Sequence, residues 1–350
     1  MYKLKYIKMK KTGIILGIIL WMIPFISKSQ DLLDAVNETF TGVKSIEVKG
    51  LFCAVEINEN AGSSVMIEGD LRSTRRYDNF RIKYEQDGAN LKIWIDMPVI
   101  SITGVLKGYL RISTPRDVLV KVENASGNIS VENVGREILT LQTVSGNINI
   151  SNIPCKANLK TVSGSITCNL VSGNVVATTT SGGMKIIDIK GAAKINSTSG
   201  AVNIQNVLNE VDVSSVSGKL SVSGVYANVT CKSTSGKIEL KDVKGIIKTD
   251  NTSGGGTFVN VIGEINASSV SGSIKGTSVM LTGNSNFKTS SGTIDISLSN
   301  SPKTLSFNLN SSSGSLEAAG IKGEKKLEIN EGAIKITGTT SSGGQRYNYK

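Results

Sequence analysis

Twelve glycines stand in register down the second two-thirds of the chain: Gly127, Gly146, Gly164, Gly182, Gly200, Gly218, Gly236, Gly254, Gly272, Gly292, Gly314 and Gly332. All but the last follow a serine, and seven successive gaps are eighteen residues. A period in that range marks a chain that stacks one small unit many times, because a unit of that size cannot bury its apolar face alone. The regular part of this ladder is Ser126–Gly127, Ser145–Gly146, Ser163–Gly164, Ser181–Gly182, Ser199–Gly200, Ser217–Gly218, Ser235–Gly236, Ser253–Gly254 and Ser271–Gly272. A corner is expected there. A backbone with positive φ costs a residue bearing a Cβ roughly 1–2 kcal/mol, so glycine is favoured at each turn, and the serine hydroxyl can bond the local backbone at the bend.

With each glycine as position zero, apolar residues recur at +2 (Ile148, Ile166, Met184, Val202, Leu220) and +4 (Ile150, Cys168, Ile186, Ile204, Val222). A separation of two puts them on one face of a strand. Position +7 (Ile153, Val171, Ile189, Val207, Val225) slips the alternation by one, as a strand turning a corner must. Positions +11, +13 and +16 (Val211, Val213, Val216) read as the same three shifted by nine, so each turn is expected to be two nine-residue arms with all six positions in the core. A hexapeptide helix is excluded because these positions do not coincide modulo six. The expected fold is a right-handed parallel β-helix of about eighteen residues per turn, the hand following the usual preference of parallel crossovers. At ~4.8 Å between neighbouring strands, eleven steps give a rod on the order of 50 Å long.

A second corner carries Gly at +9 and Asn or Asp at +6: Asn133, Asn152, Asp188, Asn206, Asp242 and Asn260. Nonapeptide calcium rolls use a richer motif of several glycines plus Asp, so this column reads as a turn ladder and no metal or cofactor is expected. The Thr/Ser column at −3 (Thr143, Thr161, Thr179, Ser197, Ser215, Ser233) reads as solvated wall.

Upstream, Met9, Lys10 and Lys11 open an uncharged apolar run over residues 13–26, and Ser27-Lys28-Ser29 is a small-x-small cleavage site before Gln30. Residues 1–29 are therefore read as a signal peptide. Fourteen apolar residues fall short of the ~20 that span a bilayer, so no transmembrane span is expected in the mature chain. Of the net charge of +11, six units come from lysines before Asp31; thirty-nine basic residues less those six leave 33 against 28 acidic. No basic block interleaved with aromatics points to nucleic acid. Export permits disulfides, yet Cys168 and Cys231 fall at core positions three turns apart, roughly 14 Å at the strand spacing, beyond the ~7 Å a bridge allows. A Cys53–Cys155 bridge is open on sequence grounds. The chain has no histidine, and the cysteines lack metal-ligand spacing.

Residues 30–116 differ from the repeats. Short runs alternate apolar and polar residues, with a turn at Gln86-Asp87-Gly88-Ala89-Asn90, and Phe52, Tyr77, Phe80, Tyr84, Trp94 and Tyr109 are concentrated here. Stacks need caps against edge pairing, so this region is expected to be an irregular β-rich cap with the first turns, followed by solenoid repeats over 117–350. A ligand site is the rival reading of these aromatics.

From residue 40 to the end the sequence resembles the bacterial adhesins of the head GIN domain type and their β-strand-repeat relatives of unknown function. The resemblance rests on Gly42-Val43-Lys44-Ser45-Ile46-Glu47-Val48-Lys49-Gly50, Val55-Glu56-Ile57, Val65-Met66-Ile67-Glu68-Gly69-Asp70, Leu91-Lys92-Ile93 and repeats such as Thr161-Val162-Ser163-Gly164-Ser165-Ile166. It implies right-handed β-helices exported by Gram-negative bacteria to the periplasm, outer membrane or cell surface, and it supplies no catalytic residues. Polysaccharide lyases and hydrolases on β-helices need clustered carboxylates with sugar-stacking aromatics, whereas Asp188, Asp212, Asp242, Asp250 and Asp295 are dispersed along the repeats. The expectation is a non-enzymatic adhesin or envelope protein whose partners are cell-surface polysaccharide or an envelope protein. The alternative is an envelope polysaccharide-processing enzyme.

Overall fold

Alternating apolar residues become strands throughout. The computed structural model describes residues 30–97 and 103–349, and within them the chain is all-β, with 31 strands and a single 3-10 turn at Pro302–Thr304. The export segment at 1–29 lies outside the described residues. In the repeats the strands form two parallel ladders whose partners are one period apart. One ladder runs Ile148, Ile166, Met184, Val202, Leu220, Ile238, the other Ala157, Val175, Ala193, Val211, Val229, Ile247. Like therefore stacks on like, and the +2, +4, +7, +11 and +13 columns fill one continuous apolar core between the ladders. Each fully buried Val, Leu or Ile contributes ~1.5–3 kcal/mol against leaving it in water.

The two arms are not equivalent, which corrects the nine-residue reading. Val162, Val216 and Val270 at +16 are 40–51% exposed, while their neighbours Thr161, Ser215 and Ser269 at −3 are buried. The second arm alternates straight through +11, +13 and −3, because no residue between +11 and −3 has left-handed backbone. In the first arm the +6 residue is left-handed, with φ of 60° at Asn133, 52° at Asn152, 56° at Asp188 and 55° at Asn206. That one residue moves the next inward position from +6 to +7. The −3 column is thus interior rather than solvated wall. Thr161 Oγ1 donates to the carbonyl of Gly146 (3.1 Å), Thr179 to Gly164 (3.3 Å), Ser269 to Gly254 (2.9 Å) and Thr289 to Gly272 (3.0 Å). These four hydroxyls are satisfied by the carbonyl of the glycine one turn earlier, whereas those of Thr143, Ser197, Ser215 and Ser233 in the same column are buried without a hydrogen bond.

The same packing explains the glycines. Only some of them have positive φ, Gly127 (126°), Gly200 (125°) and Gly218 (144°) among them. What they share is close approach: a Cβ on Gly146, Gly164, Gly182, Gly236, Gly254 or Gly272 would overlap the carbonyl of the preceding glycine in the stack. Gly332 does not belong to the column; a Cβ there would strike Thr304 and Leu305. Its place is taken by Gly343, which sits against Gly292 and carries Gly314 on its other side.

Both ends are threaded out of chain order. At the N-terminal end β1 (Asp31–Thr41), β2 (Ser45–Leu51), β3 (Ala54–Glu59), β4 (Ser64–Ser73), β5 (Arg81–Asp87), β6 (Asn90–Asp96), β7 (Leu106–Thr114), β8 (Leu119–Ser126) and β9 (Ile129–Glu132) follow in sequence. In space, β2 lies between β6 and β8, and β3 between β7 and β9, all parallel. Beyond them the pairing turns antiparallel: β5 on β6 in one ladder, β4 on β7 and β1 on β4 in the other. The two free edges are stitched together, Asp34 Oδ2 accepting from the Ile82 amide (2.7 Å) and Tyr84 bonding Glu38 (3.1 Å). Phe52, Tyr77 and Phe80 pack on one another as a plug, with ring centroids 6.1 and 5.4 Å apart. The far end mirrors this threading. Strands Ile334–Ser342 and Gln345–Tyr349 insert between Ser285–Ser291/Ile294–Leu298 and Leu305–Ser313/Leu316–Ala318, and short antiparallel strands at Ile321–Gly323 and Lys326–Ile329 close the stack.

Candidate functional surface

The Ser–Gly ladder forms an outward row. Ser126, Ser145, Ser163, Ser181, Ser199, Ser217, Ser235, Ser253 and Ser271 are all exposed, and the row continues through Ser291, Ser342 and Ser313. Successive members are aligned in register, as in Ser163, Ser181, Ser199, Ser217 and Ser235. Beside it at −2 runs a second exposed row of Val144, Val162, Thr180, Thr198, Val216, Thr234, Thr252 and Val270. Neighbours in each row repeat at the ~4.8 Å strand spacing. The ladder's glycines turn the backbone, and its serines present hydroxyls to solvent.

At the other corner the Asn/Asp column links turn to turn. Asn152 donates to Asn133 (2.5 Å), Asn206 to Asp188 (2.8 Å) and Asn260 to Asp242 (2.6 Å). These short polar side chains suit left-handed backbone. Leu170 (φ 56°), Gly224 (φ 66°) and Ser278 (φ 55°) interrupt the series. Asp250 accepts from Ser268 (2.7 Å), and Asp295 lies in register beside Lys275 and Arg346 on the opposite ladder. Asp188 and Asp242 thus share one corner column three periods apart, and Asp250 and Asp295 stand outside it. Among the described residues no three His, Cys, Asp or Glu side chains come together as a metal site, and no helix is long and apolar enough to cross a membrane.

All four cysteines are free, so Cys53 and Cys155 are not bridged. Burial pushes the Cys168 thiol up to about 12, and the Cys53 thiol likewise with Asp70 adding to it. Cys231 is raised by burial and by Asp212. Such thiols are inert small hydrophobes. Surface charges pair along the strands: Glu239 is held below the usual carboxylate range by hydrogen bonds from Lys219 (2.6 Å) and Lys237 (2.7 Å). Lys121 is raised by Glu123 (2.8 Å) and Glu47 (3.1 Å).

The cap aromatics divide into two groups. Phe52, Tyr77 and Phe80 form the plug, and Phe40 stacks edgewise on Tyr84 at 5.4 Å. Trp94 instead stands on the outer face of β6 with Lys92 and Asp96, between inward Ile93 and Ile95. It borders an open recess of about 410 Å³ also lined by Glu47, Lys49, Leu51, Glu85 and Lys92. Sequence reading singled out the indole but not the charged residues around it. The signal for them was the outward parity of Lys92 with Trp94 and of Glu47 with Lys49, although their juxtaposition depends on β2 and β6 being neighbours.

The sequence profile of the Toastrack DUF4097 family matches this chain over residues 116–223 and 206–348, which together cover the stacked repeats. No curated protein matches it. A solved structure described as a putative cell adhesion protein from Clostridium sporogenes is 10% identical, with the alignment covering 90% of this chain and 100% of that one at a TM-score of 0.18.

Proposed function

The chain belongs to the Toastrack DUF4097 family, and from that premise we propose that it is an exported, non-enzymatic adhesin or envelope interaction protein of the head GIN type. Its scaffold is a right-handed parallel β-helix of about eighteen residues per turn over 117–350, capped by residues 30–116 and led to export by residues 1–29. The observation that carries this reading is the pair of outward rows, serine at −1 and Val/Thr at −2, running along the rod in strict register. Repeated weak contacts at a fixed spacing suit a polymer such as envelope polysaccharide, because each further contact is made at high effective concentration. Dispersed carboxylates support binding over catalysis, since acid–base cleavage of a glycoside needs two of them facing one bond.

The test is a pull-down of the full chain, produced in an exporting host, against intact cells and isolated envelope polysaccharide. Saturable binding is expected to survive Asp188→Ala, Asp212→Ala, Asp242→Ala and Asp295→Ala and to vanish on unfolding. Polysaccharide turnover abolished by one of these changes, with melting untouched, would establish the enzyme instead. N-terminal mass analysis of the exported protein is expected to find Gln30 first; retained residues 9–29 would refute export by cleavage.

A further inference from the structure

The recess on the outer face of the cap is chemically unlike the hydroxyl rows of the rod. Cross-strand register sets it: β5, β6 and β2 place Glu85, Lys92 and Glu47 in one outward row and Lys83, Trp94 and Lys49 in the next. Some of these charges are already engaged. Lys83 pairs with Asp96 at 2.6 Å, and Glu47 with Lys121 at 3.1 Å. Among the described residues Lys49, Lys92 and Glu85 make no such pair. The opening is large enough for one or two sugar rings, and its lining includes an indole, the Leu51 side chain and free charges of both signs.

We infer that this recess is a binding site for a neutral pyranose unit of a polysaccharide, an assignment that rests on the envelope-binding reading above. The apolar C–H face of a pyranose stacks on an aromatic ring, while its equatorial hydroxyls act as both donors and acceptors. An indole flanked by ammonium donors (Lys49, Lys92) and carboxylate acceptors (Glu47, Glu85) offers both at once. A polyanion would meet Glu47 and Glu85, and a polycation Lys49 and Lys92, so mixed charge disfavours either. The site lies at the cap end of the ladder, in register with outward Lys121 and Glu123 and, beyond them, Thr140 and Gln142.

The chain's two tryptophans are Trp21 and Trp94, so a full-length Trp21→Phe variant makes Trp94 the sole indole reporter. Its emission is titrated with linear hexasaccharides of glucose, mannose, galactose and galacturonic acid. At least one neutral hexasaccharide is expected to give a saturable change, weakened tenfold or more by Lys92→Ala or Glu85→Gln at unchanged melting temperature, while the galacturonic acid oligomer gives none. A response to none of the neutral sugars, or to the acidic oligomer alone, overturns the assignment. Cell binding of the full chain and of Trp94→Ala is measured alongside. Equal binding by both overturns the recess and leaves the adhesin reading standing. Failure of the full chain to bind cells, with Trp94 still titrating with sugar, overturns the adhesin reading and leaves the recess.

Discussion

Leu170 breaks a rule that its column otherwise keeps, and replacing it should stabilise the rod. It sits at φ 56° between Asn152 and Asp188 of the adjacent turns, and half of its surface is already in water. Left-handed backbone costs a residue with a Cβ roughly 1–2 kcal/mol, and Asn carries only part of that. In Leu170→Asn the relief is ~1 kcal/mol, and a side-chain bond to Asn152 or Asp188 adds ~0.5–1.5 kcal/mol. Against this stands the loss of a half-buried leucine, about 1 kcal/mol. The net gain is ~1 kcal/mol. The mirror change, Asn206→Leu, forfeits the bond to Asp188 and accepts the backbone cost, offset by about 1 kcal/mol from a half-buried leucine, for a net loss of ~1 kcal/mol. With an unfolding entropy of about 2.1 cal/mol/K per residue over roughly 320 residues, 1 kcal/mol moves the melting point by ~1.5 °C. Melting curves should therefore place Leu170→Asn about 1–2 °C above the parent and Asn206→Leu about 1–2 °C below it. If Leu170→Asn melts lower, or Asn206→Leu melts with the parent, backbone conformation is not what selects Asn and Asp at this corner.

Two further outcomes test the interior. Val207 is fully buried, so Val207→Asp should cost several kcal/mol, whereas Asn203→Asp on the outward side of the same strand should change stability by less than ~0.5 kcal/mol; melting curves that coincide would refute the register. In native protein at pH 9 Cys155, half-buried, should be the first thiol labelled, with Cys168 and Cys231 protected until unfolding. Because the Cys168 thiol is raised from 9.0 to about 12 in the fold, its contribution is complete below pH 9 and is lost as pH rises toward 12, when the unfolded thiol ionises and the folded one does not. Cys168→Ala should flatten that alkaline loss in a pH series of denaturation midpoints, and an unchanged slope would count against it.

The repeat period, the strand faces at +2, +4 and +7, and the Ser–Gly and Asn/Asp corners were legible because each rests on local chemistry repeated many times. The inward turn of Thr161 and the outward turn of Val162 were not, because hydrophobicity ranks valine as the core residue. At Thr161 the hydroxyl is drawn inward by the carbonyl of Gly146, to which it donates. The column reads Thr161, Thr179, Ser197, Ser215, Ser233, Asn251, Ser269 and Thr289; every member carries a donor, and Thr161, Thr179, Asn251, Ser269 and Thr289 donate to the glycine carbonyl one turn earlier. Likewise, spacing placed Gly332 in the ladder, though Ser341-Ser342-Gly343 carries the repeat's own signature. Reading it as a member would have required abandoning chain order.

That departure from chain order bears on how the rod is closed. A simple coil would leave its terminal strand with unpaired amides and carbonyls, an invitation to edge-to-edge association. Here each end doubles back, so its outermost parallel turn is covered by antiparallel strands, while β2 and β3 at one end, and Ile334–Ser342 and Gln345–Tyr349 at the other, are held in the middle of a three-turn stack. Fraying from the N-terminal end must break β1 from β4 and β4 from β7 before β3 is exposed. These contacts join residues far apart in sequence, and forming them carries the loop-closure cost of non-local pairing. The regular interior can propagate turn by turn, whereas the ends must be threaded. The Trp94 recess is made by that threading: β2 and β6 are neighbours only because the chain returned to the outer turn before running on. A cap that protects the edge also brings an indole and four charged side chains together, and among the described residues the regular repeats contain no tryptophan to form a counterpart.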